Sequence, residues 1–198
     1  MIAILDYGSG NLRSAQRAFE LAAKNVVVTR DAKVCSEATA LIVPGVGAFA
    51  ACMEQLIKVG GAEIIADRVA KARPIFGICV GMQVLFDSSS EKKETQGLGI
   101  LPGKVSKLEA PILPHMGWNN VTTSKTSKLF KGVESESFYF VHSYAAKKPI
   151  PEAVNTLTNY SEDFLAAVEK DFVVATQFHP EKSGAAGAKL ITNWVATL

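Results

Sequence analysis

The sequence predicts a three-layer α/β protein, with a mixed, mainly parallel central sheet and a β-rich second half. Three observations carry this reading. Up to about residue 86, short apolar or β-branched runs lead into glycine-rich or polar punctuation and then into helical periodicity, the pattern of alternating strands and helices. Pro74-Ile-Phe-Gly-Ile-Cys-Val-Gly-Met-Gln-Val-Leu-Phe86 reads as strand, sharp turn and helix around a cysteine set between two glycines. From Gly97 the pattern changes to short strands. The 198 residues show no break in composition, so one domain spanning residues 1–198 is expected.

In chain order, Ile2-Ala-Ile-Leu5 is a short buried strand, followed by a glycine-rich turn and a helix from about Asn11 with the apolar stripe Leu12, Ala15, Phe19 and Ala22. Gly8-Ser-Gly10 does not open a dinucleotide fingerprint, because Arg13 stands where the third glycine is needed. Asn25–Thr29 and Ala40–Val43 are strands. Pro44-Gly-Val-Gly47 then places flexible backbone at the C-terminal end of a strand, where open α/β sheets bind ligands; a plain turn is the alternative. Ala48–Lys58 and Ala62–Ala72 show helical periodicity on either side of Gly60-Gly61. The polar stretch Asp87–Glu94 is expected to be an exposed loop. His115–Asn119 and Phe138–Tyr144 are aromatic segments that suit core strands, Leu165–Val168 and Phe172–Ala175 form a hairpin around Glu169-Lys-Asp171, and a helix from Ala185 to about Thr197 closes the chain.

The chemistry concentrates in two places. Gly77-x-Cys79-x-Gly81 has the spacing of a nucleophile elbow, in which small neighbours let the backbone turn sharply and expose the central side chain at a helix N-terminus. There the free N–H groups favour a thiolate, the form that attacks carbonyl carbon. Gln83 lies one helical turn on, which places a carboxamide beside the thiol. Taken alone, Cys79 reads equally as a small core residue. The second place is Gln177-Phe-His-Pro-Glu181, which follows a strand-like run; Pro180 biases His179 towards an extended conformation, so the strand is expected to continue through the motif. Residues two apart in an extended chain face the same way, which pairs Glu181 with His179 as orienter and base. A satisfied core histidine is the plain alternative, and the elbow cysteine together with the matched carboxylate weighs against it.

Cys, then His-x-Glu, in that order, resembles the class I glutamine amidotransferases. Asp6-Tyr-Gly-Ser-Gly-Asn-Leu-Arg-Ser14, Pro44-Gly-Val-Gly47 and His179-Pro-Glu-Lys-Ser183 are most similar to the glutaminase subunits of imidazole glycerol phosphate synthases, and the likeness runs from Ile2 to the final helix. The resemblance implies the flavodoxin-like amidotransferase fold and a Cys79, His179, Glu181 triad. It also implies an oxyanion hole from the Gly47 and Val80 amides, and glutamine held by Gln83 and by His142, Ser143 and Tyr144. Asn11, Trp118 and Lys182 would face a cyclase subunit in a heterodimer. The implied reaction turns glutamine into glutamate and ammonia without a cofactor. The ammonia passes to the cyclase, which makes imidazole glycerol phosphate and the purine intermediate AICAR in histidine biosynthesis. For the glycine-rich turn before Asn11, a tight turn that needs glycine explains the residues equally well.

Bulk properties exclude several classes. Apolar content of 48% and charged content of 20% are ordinary for a globular chain, and a formal charge of +2 without clusters gives no footprint for nucleic acid or an acidic membrane. Lys92-Lys93 and Lys147-Lys148 read as solvated loop residues. Cys35, Cys52 and Cys79 are an odd, unpaired set and Met1–Asp6 has no leader character, so a reduced, cytoplasmic protein is expected. His115, His142 and His179 show no ligand spacing, which leaves no metal site. Two other readings stay open: a different cysteine hydrolase of the same elbow type, such as a peptidase, and a binding subunit that keeps the fold without catalysis.

Overall fold

Four apolar runs of the first half become neighbouring parallel strands in the computed structural model, which describes residues 1–198. They are β1 (Ile2–Leu5), β2 (Val26–Thr29), β3 (Ala40–Gly45) and β4 (Ile75–Cys79), lying side by side in the order β2-β1-β3-β4. Every residue of β1, β3 and β4 is buried, as strands covered on both faces must be. The connecting helices are α1 (Leu12–Glu20), α2 (Ala32–Glu37), α3 (Phe49–Lys58) and α4 (Gly61–Ala70). Strand order reverses direction after β2, so right-handed crossovers place α1 on one face and α2, α3 and α4 on the other. The same reversal opens a crevice at the C-terminal strand ends. Asn11 caps α1 by accepting from the Ser14 N–H, and Asp31 caps α2 by accepting from Val34 N–H. Helix α2 is absent from the sequence reading, since six residues do not display a full apolar period.

The final helix, α5 in the layer with α1, spans Gly184–Val195. Phe19 of α1 and its Trp194 meet edge to face at 5.8 Å, and Phe76 of β4 lies 5.0 Å from Trp194, tying both helices to the central strand.

The second half supplies β5 (Phe86–Ser89), β6 (Thr95–Gln96), β7 (Leu101–Lys107), β8 (His115–Asn120), β9 (Ser137–His142), β10 (Tyr144–Ala146), β11 (Val154–Tyr160), β12 (Glu162–Lys170) and β13 (Val173–Thr176). The expected hairpin is β12–β13, and β13 pairs parallel with β4. The main sheet therefore runs β11-β12-β13-β4-β3-β1-β2, with β4 in the middle and the antiparallel strands at one end. The other second-half strands form a sheet in the order β10-β7-β5-β6 and the pair β8-β9.

Two expectations change here. Asp87–Glu94 is not one exposed loop: its first residues complete β5, where Ser88 and Ser89 are buried. Pairing with β7 and β6 satisfies the backbone, so a polar sequence is held inside. The helical pattern after Cys79 also stops after a single turn, Val80–Gln83, because the chain must swing into β5. No helix of the chain is long and apolar enough to cross a membrane.

Candidate active site

Cys79 ends β4 with φ +56° and ψ −113°, a conformation that an L-residue rarely adopts. The sharp turn is enforced by close packing. A Cβ at Gly77 would stand 2.7 Å from the Gly81 carbonyl oxygen, and one at Gly81 would overlap the Val43 carbonyl. The glycines on both sides are thus steric requirements of the elbow read from the sequence. The turn that follows is too short for a developed helix dipole, so the setting of the thiol rests on its neighbours.

His179 and Glu181 meet by a different route from the one expected. Strand β13 stops at Thr176; His179 is extended at φ −99° and ψ 96°, as Pro180 demands, and Pro180–Lys182 then forms a 3-10 turn. The turn brings Glu181 Oε1 to 2.8 Å from His179 Nδ1. It is fixed from below: His179 N–H donates to the Tyr139 carbonyl (2.9 Å), Tyr139 N–H donates to Ser183 Oγ (3.0 Å), and that hydroxyl donates to the His179 carbonyl (2.7 Å). Both side chains are buried, at 2% and 4% exposure. Burial pushes the imidazole pKa down, but Cys79 and Glu181 more than offset it and hold it up to about 10. An imidazolium at neutral pH donates through Nδ1 to Glu181, and its buried Nε2, which makes no other hydrogen bond, is free for Cys79.

Beside this pair lies a cavity of about 430 Å³, a size that suits a small ligand. Cys79, His179, Gly47, Val80, Gln83, His142, Ser143, Tyr144 and Lys182 all line it, which gathers residues from four parts of the sequence. Gly47 stands at φ +92°. The preceding Val46 is held by Ser9, whose hydroxyl accepts from the Val46 N–H (3.0 Å) and donates to the Val46 carbonyl (2.9 Å). No hydrogen bond within the chain uses the Gly47 N–H. Val80, first in its helical turn, has no intrahelical acceptor for its own N–H.

The polar neighbours of the thiol differ from the sequence reading. Gln83 Nε2 donates to the Tyr144 carbonyl (2.8 Å) and to Gln177 Oε1 (3.0 Å), and the carboxamide beside the thiol is that of Gln177, with Nε2 3.8 Å from Cys79 Sγ. His142 reaches the cavity wall, but its ring is engaged inside the protein. Nδ1 lies 3.0 Å from the Tyr144 carbonyl and Nε2 lies 3.1 Å from His115 Nδ1. Burial holds His142 down at about 3 and His115 at about 4, so both are neutral. Only the backbone of His142 is left for a ligand. Glu91, unmarked in the sequence, also lines the cavity and accepts from Phe49 N–H at 2.7 Å. Nothing local announces Glu91; Gln177 could have been found from its place two residues before His179.

Of the remaining sequence candidates, Asn11 lies across a small gap from Glu181, Lys182 belongs to the 3-10 turn, and Trp118 is 58% exposed with its ring edge-on to Tyr139 at 6.1 Å. Asn11 and Trp118 thus flank the His179–Gly184 segment that carries Lys182. A second cavity of about 470 Å³, bordered by Pro74 and Trp194, lies at the opposite end of β4 and is lined by no cysteine and no histidine. No group of three or more His, Cys, Asp or Glu side chains is placed to hold a metal ion.

The family model described as glutamine amidotransferase class-I matches residues 3–198. The imidazole glycerol phosphate synthase subunit HisH of Mycolicibacterium paratuberculosis is 54% identical over 201 residues, covering 100% of this chain and 98% of that protein. Its namesake from Corynebacterium glutamicum is 52% identical over 204 residues, covering 98% and 97%. Among solved structures, one described as a glutamine amidotransferase superposes with a TM-score of 0.78 at 19% identity, covering 100% of this chain and 99% of its own. The glutaminase domain of Trypanosoma brucei CTPS, with bound acivicin, superposes with a TM-score of 0.65 at 15% identity, covering 98% and 92%. At such identities these two speak for the fold.

Proposed function

This chain belongs to the class I glutamine amidotransferase family, and on that premise we propose that it is the glutaminase subunit of an imidazole glycerol phosphate synthase, with Cys79, His179 and Glu181 as its triad. One observation supports the site assignment above the rest: the elbow cysteine and His179, bonded to Glu181 at 2.8 Å behind it, open on the same cavity as Gly47 and Val80.

The chemistry follows from the geometry. Glutamine enters with its carboxamide towards Cys79. Its α-ammonium group meets the Glu91 carboxylate, and its α-carboxylate meets the Val141–Tyr144 segment. The Cys79 thiolate forms a C–S bond to the carboxamide carbon, and the oxygen takes the displaced electron pair under the Gly47 and Val80 N–H groups. The tetrahedral intermediate collapses as His179 gives the nitrogen a proton, and ammonia leaves a thioester. Water then attacks with His179 taking its proton, and glutamate departs as the thiolate re-forms. Glu181 keeps the imidazole oriented and stabilises its charge.

The ammonia is passed to a cyclase subunit in a heterodimer, where it enters imidazole glycerol phosphate and AICAR. Asn11, Trp118 and Lys182 form part of the facing surface, and Met116, 62% exposed on the same side of β8 as Trp118, extends it. The test is ammonia release from glutamine by this chain combined with the cyclase, with and without Cys79→Ala. The variant should lose glutamine-dependent synthesis and keep synthesis from ammonium salt. Peptide cleavage without ammonia release from glutamine would select the peptidase reading instead, and loss of both syntheses from an intact complex would overturn the division of labour.

A further inference from the structure

The hydrogen bonds around Cys79 fix more than the triad. Each side-chain amide has two possible orientations, and here a backbone group decides between them. The Tyr144 carbonyl can only accept, so the atom of Gln83 facing it at 2.8 Å is the amide nitrogen. That nitrogen also lies 3.0 Å from the Gln177 side chain, which must present its oxygen. Gln177 is thereby left with its Nε2 towards Cys79 Sγ at 3.8 Å. The orientation of Tyr144 is itself supported, since neutral His142 donates from Nδ1 to the same carbonyl and accepts a hydrogen bond on Nε2 from His115 Nδ1. Gln177 is 1% exposed and Gln83 3%, so neither amide can exchange its partners for bulk water.

We propose that Gln177 is a positioning and charge-stabilising donor to the Cys79 sulfur, held in that role by Gln83. Resting on the glutaminase reading, this assigns a function to a buried amide outside the triad. The His179 imidazolium already holds the proton that the sulfur gives up, and its Nε2, unpartnered elsewhere in the chain, is the second N–H available to the Cys79 sulfur. With that proton on Nε2, the Gln177 N–H stabilises the negative sulfur from its other side. The same bond limits rotation of the thiol out of line with the incoming carboxamide. After each turnover the thiolate regenerated from the thioester returns to the same donor.

The test combines two variants with two readouts. Gln177→Leu removes the donor at similar volume; Gln177→Glu keeps the shape and an acceptor for Gln83, but its carboxylate cannot donate. The pH dependence of Cys79 alkylation by iodoacetamide is followed by mass spectrometry on the isolated chain, and kcat and KM for glutamine are measured in the cyclase complex. Both variants should move the alkylation midpoint to higher pH and lower kcat by about 10–100-fold, the effect of losing a hydrogen bond to a charged group, with KM changing less. If Gln177→Leu does not fold, Gln177→Met, which also lacks the donor and adds no charge, carries the test in its place. A variant that keeps the wild-type alkylation midpoint, whether or not its turnover falls, overturns the proposal and leaves Gln177 a packing residue. If the wild-type chain releases no ammonia from glutamine while the midpoint still shifts, the failure belongs to the glutaminase reading and the Gln177–Cys79 bond stands.

Discussion

Two sets of buried histidines share this fold and behave in opposite ways. His115 and His142 form a ring pair between β8 and β9, packed against Phe140, Tyr160 and Phe164, and burial keeps them neutral. His179 is as deeply buried, yet it is held charged. The contrast lies in the partners. The pair donates around a ring of neutral acceptors, ending on the Tyr144 carbonyl, and each tautomer is satisfied: Asn119 Nδ2, 3.3 Å from His115 Nε2, supplies the first donor. His179 has a carboxylate on one nitrogen and an unfilled position on the other. Burial sets the cost of a charge, and the neighbouring ionic groups decide whether it is met. A histidine satisfied at both nitrogens is structural; one left open towards a thiol can move a proton.

Breaking His179 should have the largest effect. His179→Asn should lower glutamine turnover in the cyclase complex by at least the ~10²–10⁴-fold of a positioned acid–base. Ammonium-dependent synthesis should remain. A variant within tenfold of the wild type would remove His179 from the reaction.

Glu181→Gln should cost less, because the amide still fills the site and still offers an oxygen to Nδ1, while the charge is lost. Turnover of the two variants is compared in parallel with their melting temperatures. If Glu181→Gln is as inactive as His179→Asn and folds normally, the carboxylate has a chemical role beyond orienting the ring.

The opposite pattern is expected for His115→Phe. Phenylalanine keeps the stack on Tyr160, whose ring centre is 4.1 Å away, but leaves His142 Nε2 without its donor. An orphaned buried polar group costs about 1–3 kcal/mol, so the melting temperature should fall by several degrees. Turnover should change by less than tenfold. A normal melting temperature with lost activity would reverse the assignment of the two histidine sites.

Acid titration gives the finest separation. His115 and His142 titrate near 4 and 3 when folded and at about 6.5 when unfolded, so between those values the unfolded chain binds protons that the folded chain refuses. This part of the stability is complete above about pH 6.5 and is lost as pH falls, at up to about 1.4 kcal/mol per pH unit for each proton. His179 has the opposite sign: its contribution is complete below about pH 6.5 and is lost as pH rises through about 10. Denaturant unfolding across this range should show the acid slope reduced by roughly one proton in His115→Phe. The alkaline loss should begin at lower pH in Glu181→Gln. An unchanged acid slope in His115→Phe would mean that the pair is not the source of acid sensitivity.

Much of this was written locally. The glycines around Cys79 are readable because a sharp turn has few chemical solutions, and their packing against the Val43 and Gly81 carbonyls bears out the elbow. Apolar runs and helical periods marked the alternating first half, and hence the sheet with β4 at its centre, because each period reports which face of an element is covered. His179 and Glu181 could be paired from their spacing, although a 3-10 turn and not a strand joins them: Pro180 dictates the backbone before it, whereas the chain after it is shaped by Ser183 and Tyr139. Tertiary structure alone decided what long-range contact creates. The Gln83–Gln177–Cys79 sequence of hydrogen bonds crosses 98 residues, Glu91 reaches the cavity from a stretch that reads as solvent-facing, and the His115–His142 pair joins neighbouring strands separated by a long connection. A sequence displays the periodicity and steric needs of each segment, but the partner of a buried polar group is set by which segments the fold brings together, and that partner determines whether the group carries a charge, holds a neighbour or moves a proton.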